Sequence, residues 1–576
     1  MKVRGGEAVV RSLVEHKVET VYGLPGSHVL DIYNSLRDEQ RITNILVMHE
    51  LNAAFMADAH GRLTGKPGVC LVTSGPGATN AVTGIAQAYT EASPVVLIAG
   101  GSSTLKKIQP DHSVDDPDFQ LKIYQPLTKW CTRIATVEDI PASLNKAFAI
   151  ATSNRPGPVY LEIPKDVLAS SGDVSKPEVS AEAESTDISS SLMTVAEILE
   201  SATSPLIAVG RGVLREFCSD EVVALAGKLC APIVTLPSAI GAIPYQCPFY
   251  VGYDLAKYTR KYAAWHVHPR INSLIQKADV ILTLGFDIGE RVLCFKGKKN
   301  GTLIHIHHDT SPKESNKKTA ADAKPIVDVE TGIRTFVQSI EGQIRQTDAE
   351  TEMLKNQVSE IKRTVREDIA KSIKWGNKPI HPGEISTELS RILDDDAIVT
   401  LDVGNNASWM KLCHRAKTAN TILAPGRYSS MGFALPAAIA AKITFPKRQV
   451  VAVTGDVGFL MSYMDFPTLV KYNLGLTVVV ESNRRYGMIW HMQRTEYRRR
   501  TVATEISTPD FAAYAQAFGA TGIKIRDPTE LKRALEDAVN IKGPVLVDID
   551  TAYKFPTYLP TKIGRLGRKI KQHLGI

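Results

Sequence analysis

The sequence predicts an α/β fold of three doubly wound parallel-sheet domains in succession. Three observations carry this. Short β-branched apolar runs, such as Val450-Val451-Ala452-Val453, alternate along the chain with stretches of helical apolar spacing. Many runs end in a glycine or acidic turn: Ser74-Gly75-Pro76-Gly77, Gly210-Arg211-Gly212, Gly455-Asp456. And 576 residues, 44% apolar and 22% charged, make an ordinary globular composition with length for about three domains.

The first unit spans residues 1–167. An amphipathic helix pattern covers 7–17. Residues 20–23 form a short strand before Leu24-Pro25-Gly26, a turn opening a helix. A second strand, 45–48, ends in His49-Glu50. The helix expected over 52–65 carries Ala53, Ala54, Ala57 and Ala59, which permit close packing. A third strand, 68–73, ends in the glycine turn at 74–77; a helix runs on to Thr90, and 94–99 is the fourth strand. This is the order of a doubly wound sheet. Residues 102–129 read as a polar loop. Within it His112 is a candidate acid/base group, since imidazole titrates near neutral pH.

A Ser-, Glu-, Ala- and Pro-rich linker is expected over 168–192. The second unit, 193–340, offers strands at 206–209, 232–235, 280–284 and 302–306. Residues 341–378 connect, with 348–372 read as a solvated charged helix. The third unit, 379–553, has a strand at 397–401 ending in Asp402-Val403-Gly404-Asn405-Asn406. A βαβ unit follows: strand 450–453, a helix over 459–472, and strand 476–480 ending in Glu481-Ser482-Asn483. A basic tail, 554–576, holds six Lys/Arg and no acid.

Composition excludes several classes. No run of 18 uncharged apolar residues exists, so no membrane span is expected. The amphipathic start carries no signal- or transit-peptide pattern. Seven scattered cysteines without a CxxC pair argue against zinc and a disulfide framework, and for a reducing compartment, the cytoplasm. Net charge is +7, yet no aromatic platform or nucleic-acid module accompanies the basic tail, so nucleic acid is not the expected partner.

The chemistry gathers at strand ends, where open α/β sheets bind ligands. Asp456 and Asn483 stand at the carboxyl ends of neighbouring strands. A carboxylate and an amide oxygen, with room for water and phosphate oxygens, suit Mg²⁺. The helix after Asp456 points its N-terminus at the same place, favouring a diphosphate.

Gly455-Asp456-x-Gly458-Phe459, Lys471-Tyr472-Asn473-Leu474 and Asn483-x-x-Tyr486-Gly487-Met488, with 27 positions from Asp456 to Asn483, resemble the thiamine diphosphate (ThDP) and Mg²⁺ motif of the acetolactate synthase/pyruvate oxidase superfamily. The resemblance implies metal ligation by the Asp456 and Asn483 side chains and the Arg485 carbonyl. It implies cofactor contacts from Gly455, Asp456, Val457, Asn483, Tyr486, Gly487 and Met488. Val457 stands where the family usually has glycine, and Ser482 where it has asparagine.

Glu50-x-x-Ala53-Ala54 followed by Thr73-Ser74-Gly75-Pro76-Gly77-Ala78-Thr79-Asn80 resembles the pyrimidine-binding domain of that superfamily. Glu50 then matches the glutamate that holds the aminopyrimidine ring and directs proton traffic, with Gly26 and His112 as the other catalytic candidates. Pro76 and Asn80 would line the cofactor, as would Asn405 and Ser429. Met431, in Ser429-Ser430-Met431-Gly432-Phe433, matches the wedge that bends the cofactor so that its rings meet.

The resemblance implies pyrimidine, middle and diphosphate domains in that order. The middle domain binds FAD in some relatives, and FAD stays open here because Asp287 replaces the usual arginine. The implied activity is decarboxylation of a 2-keto acid, pyruvate favoured, with transfer of the two-carbon unit to a second 2-keto acid. The family's Phe-Gln-Glu substrate run is not found in the 102–129 loop, and His491-Met492-Gln493 replaces Gln-Trp-Gln. Another ThDP lyase acting on an acyl-CoA, a pyruvate oxidase, and a non-catalytic nucleotide-binding paralogue therefore remain alternatives. A homodimer or homotetramer with its site at the subunit interface is implied, and a regulatory subunit is left open.

Overall fold

The computed structural model describes residues 2–105, 112–174, 189–253, 268–286, 301–307, 326–330, 332–341, 348–554 and 556. Three six-stranded sheets, each wholly parallel, follow one another along the chain. The first has the spatial order Thr43–Leu46, Thr20–Gly23, Gly68–Val72, Val95–Gly101, Pro158–Pro164, Trp130–Arg133. The second runs Tyr250–Tyr253, Ile233–Thr235, Pro205–Val209, Val280–Leu284, Thr302–His307, Ile326–Glu330. The third runs Ile422–Leu423, Ile398–Leu401, Val450–Gly455, Thr477–Ser482, Val545–Asp550, Thr521–Ile525. Central strands such as Gly68–Val72 and Thr477–Ser482 are buried along their whole length, as strands covered by helices on both faces must be.

The first and third sheets share one core. Helix Glu50–Thr64 packs on helix Ala434–Thr444, with Phe55 edge-on to Phe433 at 5.6 Å between ring centres. Both rings are fully buried, and each contributes roughly 2–3 kcal/mol of apolar burial. The alanines predicted to permit close packing do so: a Cβ on Gly84 would lie 2.4 Å from that of Ala54. The seam also carries polar contacts. Buried Asp465 accepts the Met48 N–H at 2.8 Å and the Asn52 amide, and Tyr472 donates to the Asn44 carbonyl at 3.0 Å.

Several elements differ from expectation. The helix expected over 459–472 is three pieces: Asp456–Leu460, a 3₁₀ turn Tyr463–Asp465, and Phe466–Lys471. Pro467 lacks the N–H that a continuous helix needs and instead opens a new one. Helix Asp348–Ser372 is not simply solvated, since Leu354, Val358 and Ile361 bury into the middle-domain core. The expected linker holds strand Ser171–Asp173, antiparallel to Lys2–Arg4, and the start of helix Ser189–Glu200. The 102–129 loop ends in helix Phe119–Tyr124. Asp287, Cys294 and nearly all of the basic tail lie outside the described residues. Among the described residues no helix is long and apolar enough to cross a membrane, and the other six cysteines are unbridged.

Candidate active site

Glu50 is the first residue of helix Glu50–Thr64 rather than the last of a strand. It is buried, and its Oε2 accepts the Asn80 side-chain amide at 3.0 Å. Asn80 lies on helix Pro76–Glu91, which Pro76 opens after Gly75 at φ +62°. A Cβ on Gly77 would meet Glu50 Oε1 at 3.3 Å, so glycine there leaves the carboxylate its space. Gly26 serves a similar end: a Cβ would lie 2.5 Å from the Thr73 side chain, and the two loops touch backbone to side chain. His112 is an exposed loop residue at φ +58°; its ring lies 4.8 Å from that of buried His28, and its carbonyl sits under Gly75.

The strands' carboxyl ends thus bring Glu50, Pro76, Gly77 and Asn80 together. Beneath them lies a residue the sequence reading missed. Phe119-Gln120-Leu121 shares only its first two residues with the family's Phe-Gln-Glu run. Buried Gln120 accepts the Gly75 N–H at 2.7 Å and donates to Glu162 at 2.8 Å, and Arg133 holds the other Glu162 oxygen at 2.6 Å. The Gly75 turn that opens the Asn80 helix is therefore anchored by a buried amide.

The second half-site is built on the third sheet. Asp456 caps strand Val450–Gly455 and is buried. One oxygen accepts the Val457 N–H at 2.8 Å; the other accepts the N–H groups of Asn483, at 2.9 Å, and Arg484. Burial pushes the Asp456 carboxyl upward, against those donors. Val457 is buried in helix Asp456–Leu460 with no left-handed φ, so a β-branched residue is accommodated there. Glu481 is buried beside Asp456; burial, and secondarily that neighbour's charge, push it up to about 8.

Asp402, pushed up to about 6 by burial, accepts the Gly432 N–H at 3.0 Å and so fixes the residue after Met431. Met431 is half-buried, and Ser429 before it is exposed at φ +59°. Asn405 opens helix Asn405–Cys413 and donates to the Lys554 carbonyl at 2.7 Å. Arg485 lies between Asn483 and Tyr486 in a turn whose Tyr486 N–H reaches Thr504 O at 2.8 Å; its guanidinium covers Trp490. Gly487 and Met488 begin helix Gly487–Glu496.

The residues fit the metal and diphosphate the motif implies. The amide oxygens of Asn483 and Asn405 are buried without a hydrogen-bond partner among the described residues, which is costly unless something arrives to meet them. Asp456 keeps spare lone pairs. Among the described residues no group of three His, Cys, Asp or Glu could hold a metal; a site with two side-chain oxygens completed by phosphate and water is the Mg²⁺ pattern. No hydrogen bond or ion pair among the described residues joins the Glu50 group to the Asp456 group.

Comparison with known proteins defines the class. Residues 3–118 match the thiamine pyrophosphate enzyme N-terminal TPP binding domain, 192–336 its central domain, and 402–549 its C-terminal TPP binding domain. The chain is thus built from the domains of thiamine pyrophosphate enzymes. It is 30% identical to the probable acetolactate synthase large subunit of Methanocaldococcus jannaschii, covering 97% of this chain and 94% of that one. It is 32% identical to the acetolactate synthase of Bacillus subtilis, over 96% and 94%, and to the acetolactate synthase isozyme 3 large subunit of Escherichia coli, over 95% and 94%. The chain belongs to the acetolactate synthase large-subunit family of thiamine pyrophosphate enzymes.

Proposed function

We propose that this chain catalyses decarboxylation of a 2-keto acid, pyruvate favoured, and carboligation of the two-carbon unit to a second 2-keto acid. Asp456, Asn483 and the Arg485 carbonyl would hold Mg²⁺. Gly455, Val457, Asn405, Ser429, Tyr486, Gly487 and Met488 would line the diphosphate half, with Met431 as the wedge and Pro76 and Asn80 on the pyrimidine side. When bound, ThDP supplies the carbon nucleophile and the electron sink that lets CO₂ leave. Glu50, its orientation fixed by Asn80, would hydrogen-bond the ring nitrogen of the bound cofactor and pass a proton there. Helix Glu50–Thr64 and the Gly75 turn keep that carboxyl out of bulk water, which strengthens its hydrogen bond to the ligand.

The observation that carries the reading is the buried Glu50 carboxylate held by the Asn80 amide at 3.0 Å. A nucleotide-binding scaffold without catalysis has no use for it. Glu50→Gln is expected to lower CO₂ release from pyruvate by about 10²–10⁴-fold while ThDP still binds. Unchanged turnover would overturn the proton role, and a panel of 2-keto acids read by CO₂ release identifies donor and acceptor.

The two half-sites belong to different copies of the chain in this reading, so at least a homodimer is proposed. Apolar surface supports it: Met48 before Glu50, Tyr428 beside Ser429, and Ile489 after Met488 are all exposed, and helix Gly487–Glu496 buries none of its residues. The domain limits 1–167, 193–340 and 379–553, a cytoplasmic location and a regulatory partner for a large subunit belong to the same proposal. FAD in the middle domain remains an open part of it.

A further inference from the structure

Tyr553 lies beyond the last strand of the third sheet, in a segment laid across the metal half-site. Thr551 N–H binds Ser482 O at 2.9 Å and Ala552 N–H binds Ile380 O at 2.8 Å. The Lys554 carbonyl accepts both the Asn405 amide, at 2.7 Å, and the Trp409 indole N–H, at 2.6 Å. Tyr553 is therefore pinned between the helix that Asn405 opens and the turn that carries Asn483. Its ring sits edge-on to Trp490 at 5.4 Å and tilted to His491 at 5.8 Å. A Cβ on Gly487 would lie 2.7 Å from that ring and 3.7 Å from the Asn483 amide nitrogen.

So placed, the Tyr553 hydroxyl is buried and has no hydrogen-bond partner among the described residues. Burying an unpaired hydroxyl costs roughly 1–3 kcal/mol, and phenylalanine would pack the same space without that cost. Two other orphans nearby, the Asn405 and Asn483 amide oxygens, can only accept. A diphosphate also only accepts. The N–H groups of Val457, Asn483 and Arg484, which face the same place, are already taken by Asp456. The Tyr553 O–H is a buried side-chain donor left without a partner at this corner among the described residues; the other, Arg485 Nε, belongs to a guanidinium laid over Trp490.

We propose that Tyr553 donates its phenolic hydrogen bond to a diphosphate oxygen of the cofactor, making the segment after the last strand part of the cofactor site. The proposal rests on the ThDP reading above. It also accounts for Gly487, since any larger residue would displace the ring that aims the hydroxyl.

The test is Tyr553→Phe, which keeps the ring, in the full-length protein. Calorimetric titration with ThDP at fixed Mg²⁺ should show Kd raised about tenfold, the size of one hydrogen bond to a charged oxygen. Inorganic pyrophosphate, used as a competitor, should lose affinity by the same factor. The melting temperature of the ligand-free protein should not fall, because phenylalanine fills the same space without the unpaired hydroxyl. An unchanged Kd for both ligands overturns the assignment. A loss for ThDP without one for pyrophosphate also overturns it, because the hydroxyl would then act elsewhere. Should the wild-type protein itself fail to bind ThDP, the broader reading falls and not merely the role of Tyr553.

Discussion

Glu91 and Arg211 form an ion pair in which both side chains are almost wholly buried, 1% and 4% exposed. Glu91 ends helix Pro76–Glu91 of the first domain, and Arg211 follows the first strand of the middle domain. The third domain joins them: Glu91 accepts the Arg427 N–H at 2.9 Å, and at Gly426, φ +61°, a Cβ would strike the carboxylate. One carboxylate thus ties all three domains. It grips the loop that leads through Ser429 to Met431.

Removing one member of such a pair strands a buried charge, which costs about 3–5 kcal/mol. Glu91→Gln should therefore lower the urea midpoint strongly, and Arg211→Met likewise. The double variant should lose clearly less than the sum of the two. Additive losses in a double-mutant cycle would show that the two side chains do not act as a pair.

The same seam predicts a pH response. His60 sits between Tyr22 and Thr444, 3.3 Å from each hydroxyl, and burial lowers its pKa to about 4. The folded protein then binds this proton more weakly than the unfolded chain. The resulting stability is complete above about pH 6.5 and is lost as pH falls toward 4, a loss on the order of 2–3 kcal/mol. His60→Gln should flatten that part of the stability–pH curve. Urea titrations at pH 7 and pH 5 that give wild type and variant the same slope would refute it.

Metal dependence offers a separate check. Asn483→Ala removes an unpaired amide oxygen from beside Asp456 without touching the backbone N–H that Asp456 accepts. At fixed ThDP, the Mg²⁺ concentration for half-maximal activity should rise at least about 10-fold. Chelation should abolish activity reversibly in both proteins. A variant whose Mg²⁺ requirement matches wild type would take Asn483 out of the metal site.

The parallel strands were legible because β-branched apolar runs answer to burial on two faces, a property held within five or six residues. The turn at Gly455-Asp456 and the Asn483 strand end were legible for the same reason. Gln120 was not, because the groups that give it meaning, Gly75 and Glu162, lie 45 and 42 positions away. Helix 459–472 was misjudged because apolar spacing outweighed Pro467. The charges of 348–372 predict a solvated helix, but Leu354, Val358 and Ile361 bury because the fold lays that face on the middle-domain core.

By itself the sequence determined the three sheets, and it named the residues proposed to hold a diphosphate and its metal. Backbone preference and apolar period are local, and they act wherever the chain goes. Only the tertiary structure decided which buried polar groups find partners: Asn80 for Glu50, Arg211 for Glu91, and, among the described residues, none for the Tyr553 hydroxyl. Burial removes water from each such group, and what replaces it is set by segments that lie far apart in the chain, 30 positions for Glu50 and Asn80 and 120 for Glu91 and Arg211.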